Sequence, residues 1–296
     1  MNSPGMREHE QVAARETPKR IGILLGDLGK LNLRALKYLV LNMNSLQSAF
    51  QYEFLDCDPD DELILTLCGR QKVNRKAVKR GIPAFIKRQN RYFQNVVAES
   101  ETQEPSPSYF ILLSLAKFAD GYYTTRVGDL SILALGNWKK SMAPPSILEF
   151  FLTLIVRESI AAVSPSLAGS IHLGTKSCAM DFTPYLQDVR LKVLHGFICD
   201  FCRKRLLNDN LPRLADEILP LLKRDWLGRS IDPHSPAALT SKLGFNLFTT
   251  KGLEPGFWES VFRVFQKDGV KELIRVIGAI ILLILVSILG LEAVKH

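Results

Sequence analysis

Four ligand-type side chains at fixed intervals constrain this chain more than any other feature. They are His172, then five residues to Cys178, twenty to Cys199, and two to Cys202. A pair of cysteines two apart lets one tight turn aim both sulfurs at a single ion. A second knuckle about twenty residues upstream completes a tetrahedral set of nitrogen and sulfur donors suited to zinc. The basic run Arg203, Lys204, Arg205 directly behind favours the thiolate forms. Four protein ligands leave no position for water or substrate, so the spacing predicts one structural zinc ion that pins the loop around Gly174–Gly196. Two other uses stay open: a thioredoxin-like redox pair, and buried cysteines beside a hydrogen-bonded His172. The redox pair fits poorly, because Cys199 and Cys202 do not follow a strand opening a βαβ unit. His195 is an alternative fourth ligand.

The rest of the chain alternates strand and helix patterns. Arg20–Leu28 reads as a buried strand, Lys30–Phe50 as a helix and Tyr52–Cys57 as a second strand, a β-α-β order that implies a parallel pair. Tyr109–Ala116, Gly121–Gly128 and Leu130–Gly136 read as three strands. The turns between them suggest an antiparallel meander. Ala143–Val163 reads as a long apolar helix with its two prolines in the first turn. The fold class is therefore α/β, a mixed sheet with packed helices, with a domain over 20–210 and a helical extension or linker over 211–253. Residues 1–19 are polar and read as a disordered leader without a signal peptide. With five scattered cysteines, the thiols are expected to be reduced and Cys57 and Cys68 to be buried small hydrophobes.

The C-terminus adds a membrane. Val276–Leu291 is sixteen uncharged residues, nearly all aliphatic. As a helix that is about 24 Å, against a bilayer core of about 30 Å. Continuing through Val294 with snorkelling ends closes most of the gap, so residues 275–294 are read as a transmembrane helix. Residues 254–274 precede it as an amphipathic interfacial helix with Phe257, Trp258, Val261, Phe262 and Phe265 on one side. Lys267, Lys271 and Arg275 before the span place the large N-terminal part in the cytoplasm.

The net charge of +8 is concentrated. Arg70–Arg91 carries nine Lys/Arg and no acid, which fits a solvated face, anionic lipid or an acidic protein, and nucleic acid less well. The acidic run Asp56, Asp58, Asp60, Asp61, Glu62 lacks the spacing of a calcium loop. The segment GDLGK at 26–30 lacks that of a phosphate loop.

Cys178, Met180 and Phe182, followed by Cys199, Cys202 and Leu206, form a pattern that resembles the C-terminal part of archaemetzincin-like zinc peptidases. The resemblance covers Tyr109–Leu206, and Arg20–Glu99 by element order alone. It implies a metzincin-type fold with a structural zinc. In that family the long helix carries His-Glu-x-x-His, whose Glu is the general base toward a zinc-bound water. Here the register reads Arg157-Glu158-Ser159-Ile160-Ala161: Glu158 stands at the base position, while Arg157 and Ala161 replace both histidines. Arginine is no neutral imidazole and alanine has no ligand atom, so the catalytic metal is expected to be lost. The expectation is a non-enzymatic, membrane-anchored sensor, adaptor or effector that binds a protein partner or a second copy. By analogy, its setting is prokaryotic stress or defence. A peptidase with altered ligands, using Glu158 and His172, is the alternative, and a nucleic-acid binder a weaker one.

Overall fold

The structure, a computed structural model, describes residues 17–68, 71–99, 106–169, 172, 177–259, 274–275, 277–282 and 284–287. Strand β1 (Lys19–Leu25) leads through helix α1 (Leu33–Asn42) to β2 (Phe50–Leu55), which pairs with β1 in parallel. The expected β-α-β unit is present, and β1 already begins at Lys19. Helix α1 starts where the Asn32 side chain accepts the Ala35 N–H at 3.0 Å. It ends well before Phe50, because side-chain amides take over the next turn. Asn44 both donates to and accepts from the Tyr52 backbone at 2.8 Å, and Gln47 does the same with Phe50 at 2.7 Å.

Next come α2 (Glu62–Leu67), the short β3 (Lys72–Val73), the long α3 (Arg75–Glu99) and β4 (Tyr109–Ser114). The chain then leaves the main sheet, and β5 (Lys117–Phe118) pairs with β3 in a separate parallel ribbon. It returns as β6 (Thr124–Val127) and turns at Gly128 into β7 (Leu130–Ala134). The five-stranded sheet has the order β2-β1-β4-β7-β6, and only the edge strand β6 is antiparallel. This corrects the meander expected for Tyr109–Gly136: β7 inserts between β4 and β6 and runs parallel to β4. Burial explains the order. Every residue of β4 and β7 is buried, as central strands covered on both faces must be, whereas β6 is partly open.

Alternate residues divide the sheet between two apolar layers. Leu24, Phe110, Leu112, Leu130 and Ile132 face α2 and α3. Ile21, Ile23, Ile111, Leu113 and Leu133 face a larger layer built on α1 and α4 (Ile147–Val163). Prolines 144 and 145 lie before α4 rather than in its first turn. A reciprocal Ser146–Glu149 capping box fixes its start. At Gly22 in β1 a Cβ would stand 2.7 Å from Leu55 Cδ1 and 2.9 Å from Phe110 Cδ1, so a larger residue would push aside side chains of the layer under α2 and α3.

Short α5 (Pro165–Ala168), α6 (Leu186–His195), α7 (Asp200–Asn208), α8 (Leu214–Lys223) and α9 (Pro236–Lys242) complete the larger layer. Leu214, Ile218, Leu222, Leu227, Phe245 and Leu247 are buried in the same core as α4. The segment read as an extension or linker is therefore part of the domain's packing as far as Leu247. Among the described residues no helix is long and apolar enough to cross a membrane. Most of the interfacial helix and much of the expected span lie outside the described residues. The described residues of 274–287 are helical, and Ile277, Ile280, Ile281, Leu282, Ile284, Leu285 and Val286 are all exposed.

Candidate metal centre

Two short connections and one helix end bring the four ligand residues together. Cys178 sits in a single bridge opposite Phe197, with the Ala179 N–H donating to the Phe197 carbonyl at 2.9 Å. The chain reaches Phe197 from α6 through Gly196, whose φ of +54° is left-handed. A Cβ at Gly196 would lie 2.1 Å from the Leu222 carbonyl oxygen, so the turn requires glycine twice over. Cys199 is the N-cap of α7, its sulfur bonded to no helix N–H, and Cys202 follows in the first turn. The partial positive charge of a helix N-terminus favours thiolates at both positions.

The ligand atoms of His172, Cys178, Cys199 and Cys202 lie within 4.8 Å of one another. His172 Nε2 is 3.1 Å from Cys202 Sγ and 3.6 Å from Cys199 Sγ, and Cys178 Sγ is 3.9 Å from Cys202 Sγ. A tetrahedral ion with metal–sulfur bonds of about 2.3 Å sets its sulfurs about 3.8 Å apart. The donor set thus fits one metal ion, to which these four side chains would supply four ligands. All four residues expected from the sequence are in the cluster. His195 is not: it is exposed, with Nδ1 3.0 Å from the Leu191 carbonyl of its own helix.

Two supporting residues carried no motif. Asp181 Oδ1 lies 3.0 Å from His172 Nδ1, and its Oδ2 accepts the Cys178 N–H at 3.0 Å. A carboxylate on Nδ1 fixes the tautomer that turns the Nε2 lone pair toward the sulfurs. Lys192, wholly buried in α6, donates to the carbonyls of Ala179 at 3.5 Å and of Asp181. It thereby holds the turn that presents Cys178 and Asp181. Burial pushes the Lys192 ammonium down to about 7, with Arg157 acting in the same direction and Asp181 and Cys178 opposing. The one signal for Lys192 in the sequence is its place in the buried stripe Leu186, Val189, Lys192, Val193.

The thiols interact strongly. The hydrogen bond with Cys202 pushes Cys178 down to about 5, against burial and with help from the Cys199 N–H, 3.4 Å from the sulfur. The same pairing, then burial, pushes Cys202 up, and burial raises Cys199. The cluster gives up its first proton readily and its last reluctantly. A dication at the centre reverses that reluctance, because a coordinating thiol is deprotonated outright.

Glu158, at the base position of the expected peptidase motif, is 1% exposed. One of its oxygens accepts from Arg126, at 3.1 Å from Nε and again from the far guanidinium nitrogen, and from Ser131 at 2.5 Å. The other accepts from Arg157. Burial raises the Glu158 carboxyl, but the Arg157 and Arg126 charges outweigh it and hold the group below its ordinary value. The Tyr109 hydroxyl lies 2.7 Å from Ser131, and the Tyr123 hydroxyl lies 3.1 Å from Thr183, two residues past Asp181. Sequence reasoning missed Arg126, which reaches Glu158 from the edge strand.

Other sequence candidates resolve into structural roles. Asp61 caps α2 and pairs with Arg88 at 2.6 Å, which accounts for the core of the acidic run. Asp27 closes a turn on the Gly29 N–H. Cys57 is half-buried and Cys68 is exposed, so Cys68 is not the buried hydrophobe expected. In comparisons with known proteins, the chain matches no family profile, no curated protein and no solved structure.

Proposed function

We propose that the protein is a non-enzymatic, membrane-anchored sensor, adaptor or effector built on an inactive metallopeptidase-like domain with one structural zinc ion. The observation that carries this reading is the closed donor set. Three sulfurs and one imidazole nitrogen lie within 4.8 Å of one another, and four such ligands would complete a tetrahedral ion and leave no site for water or substrate. Soft thiolates with one imidazole suit zinc among the available divalent ions. A catalytic zinc keeps an open position.

Glu158 supports the same conclusion. A general base needs a free lone pair within reach of the proton it takes. Here both carboxylate oxygens are occupied by Arg126, Arg157 and Ser131, and the guanidinium charges make the group a weaker base. The place where the resemblance to metzincin-type peptidases puts catalysis is filled by a buried ionic cluster. Membrane attachment rests on the apolar run Val276–Leu291 and on the exposure of its described residues. Aliphatic side chains bare on every side of a helix are stable against lipid or other apolar chains, not water. Bilayer lipid is the first partner, and a protein or a second copy of the chain the second.

The experiment is metal analysis of the full chain combined with a casein-cleavage assay. One zinc per chain and no cleavage above background is the expected result. Two zinc ions per chain, or cleavage abolished by Glu158→Ala with the fold intact, overturns the reading in favour of a peptidase.

A further inference from the structure

Helix α3 buries Val78, Ile82, Phe85 and Gln89 against the sheet layer opposite the metal centre. At about 100° per residue, Lys76, Arg80, Lys87 and Arg91 fall within an arc about 60° wide on the other side, with Lys79 on the flank, about 60° outside it. All five are exposed, and among the described residues none makes an ion pair. The cations that flank this stripe are engaged. Arg75 pairs with Asp120 at 2.6 Å and stacks on Tyr122, and Arg88 pairs with Asp61. Beyond the start of α3, Lys72 and Lys117 are register partners in the small ribbon and are also exposed.

We infer that α3 docks on an anionic phospholipid surface through Lys76, Lys79, Arg80, Lys87 and Arg91, turning the layer that holds the metal centre away from the bilayer. The stripe runs about 22 Å along the helix, from Lys76 to Arg91 and past Pro83, long enough to meet a negative surface at several points. It carries one exposed aromatic, Tyr92, where single-stranded nucleic-acid surfaces interleave several for base stacking. Lipid is also the partner that the exposed aliphatic residues of 277–286 require. The choice of lipid rests on the membrane reading above, so the test separates the two.

The full chain is mixed with phosphatidylcholine vesicles with and without phosphatidylglycerol, floated, and followed by hydrogen exchange of the 76–91 amides. Flotation on neutral vesicles that survives about 1 M salt, where the screening length is about 3 Å, reports the anchor alone. The expected result is exchange in α3 slowed about tenfold or more on anionic vesicles only, reversed by salt. It is absent in the combined variant Lys76→Gln, Arg80→Gln, Lys87→Gln, Arg91→Gln, which still floats. Those positions are exposed and unpaired, so the variant keeps the wild-type melting profile. Flotation with unprotected α3 overturns this inference and leaves the anchor standing. No flotation on neutral vesicles, with salt-sensitive binding to anionic ones that the variant weakens about a thousandfold, removes the anchor and keeps the stripe. Protection by RNA or an acidic polypeptide but not by vesicles overturns the lipid assignment.

Discussion

Two guanidinium groups close on the Glu158 carboxylate, one from its own helix and one from the edge strand. Breaking such a buried cluster from the acidic side leaves both cations without compensation. Glu158→Gln is expected to cost about 3–5 kcal/mol in denaturant unfolding. The pH dependence follows from the lowered carboxyl. Just below the ordinary value of 4.5 the unfolded chain binds a proton that the folded state still refuses. The ion pairs' contribution is complete above about that pH and is lost as the pH falls through the folded value. The stability gap between wild type and Glu158→Gln should therefore narrow on acidification. A gap that stays constant or widens contradicts the assignment. Lys192 makes a different prediction. It holds the Ala179–Asp181 turn and brings a positive charge toward the thiolates. Lys192→Met should weaken metal binding about 10- to 100-fold, measured by competition with a chelator, and lower the stability of the metal-loaded protein by about 1–3 kcal/mol through the same linkage. Neither Arg126 as a partner of Glu158 nor the role of Lys192 was legible beforehand. A lysine in an apolar stripe is visible in the sequence, but the carbonyls it meets are not.

At the scale of elements, α6, the Gly196 turn and α7 form the device that aims the second cysteine pair. Local chemistry made part of it readable: two cysteines two residues apart imply a turn, and their tight grouping in the fold follows from that spacing. The requirement for Gly196 came from a distant segment, because the obstructing atom is the Leu222 carbonyl in α8. Gly196→Ala places a methyl there and forces a left-handed backbone, at an expected cost of about 3 kcal/mol by chemical denaturation. Wild-type stability in that variant would mean that the turn is built differently. The strand order was misread for a related reason. Turn residues at Gly121 and Gly128 announce reversals but do not say which strand lies between which. The parallel pairing of β4 with β7 joins segments that no short-range signal connects. Helix α1 stops early because Asn44 and Gln47 bind the backbone of β2, another long-range choice.

At the scale of the molecule, the metal centre ties Cys178 and His172, in the connection after α4 and α5, to the start of α7. It lies over the larger apolar layer, while the basic stripe of α3 lies beyond the opposite face of the sheet. Alternation and periodicity made the α/β class and the β1-α1-β2 unit legible. The place of residues 211–247 in the same core was hidden, since Pro212 and Pro220 read as interruptions. Closure of the metal site is the claim on which the rest depends. X-ray absorption at the zinc edge of the full chain measures it most directly, because it counts the ligand atoms around the ion. The account predicts one zinc per chain with three sulfurs near 2.3 Å and one imidazole nitrogen near 2.0 Å as its whole coordination, roughly as for any closed site of this type. A coordinated water or carboxylate oxygen in place of a sulfur would contradict it.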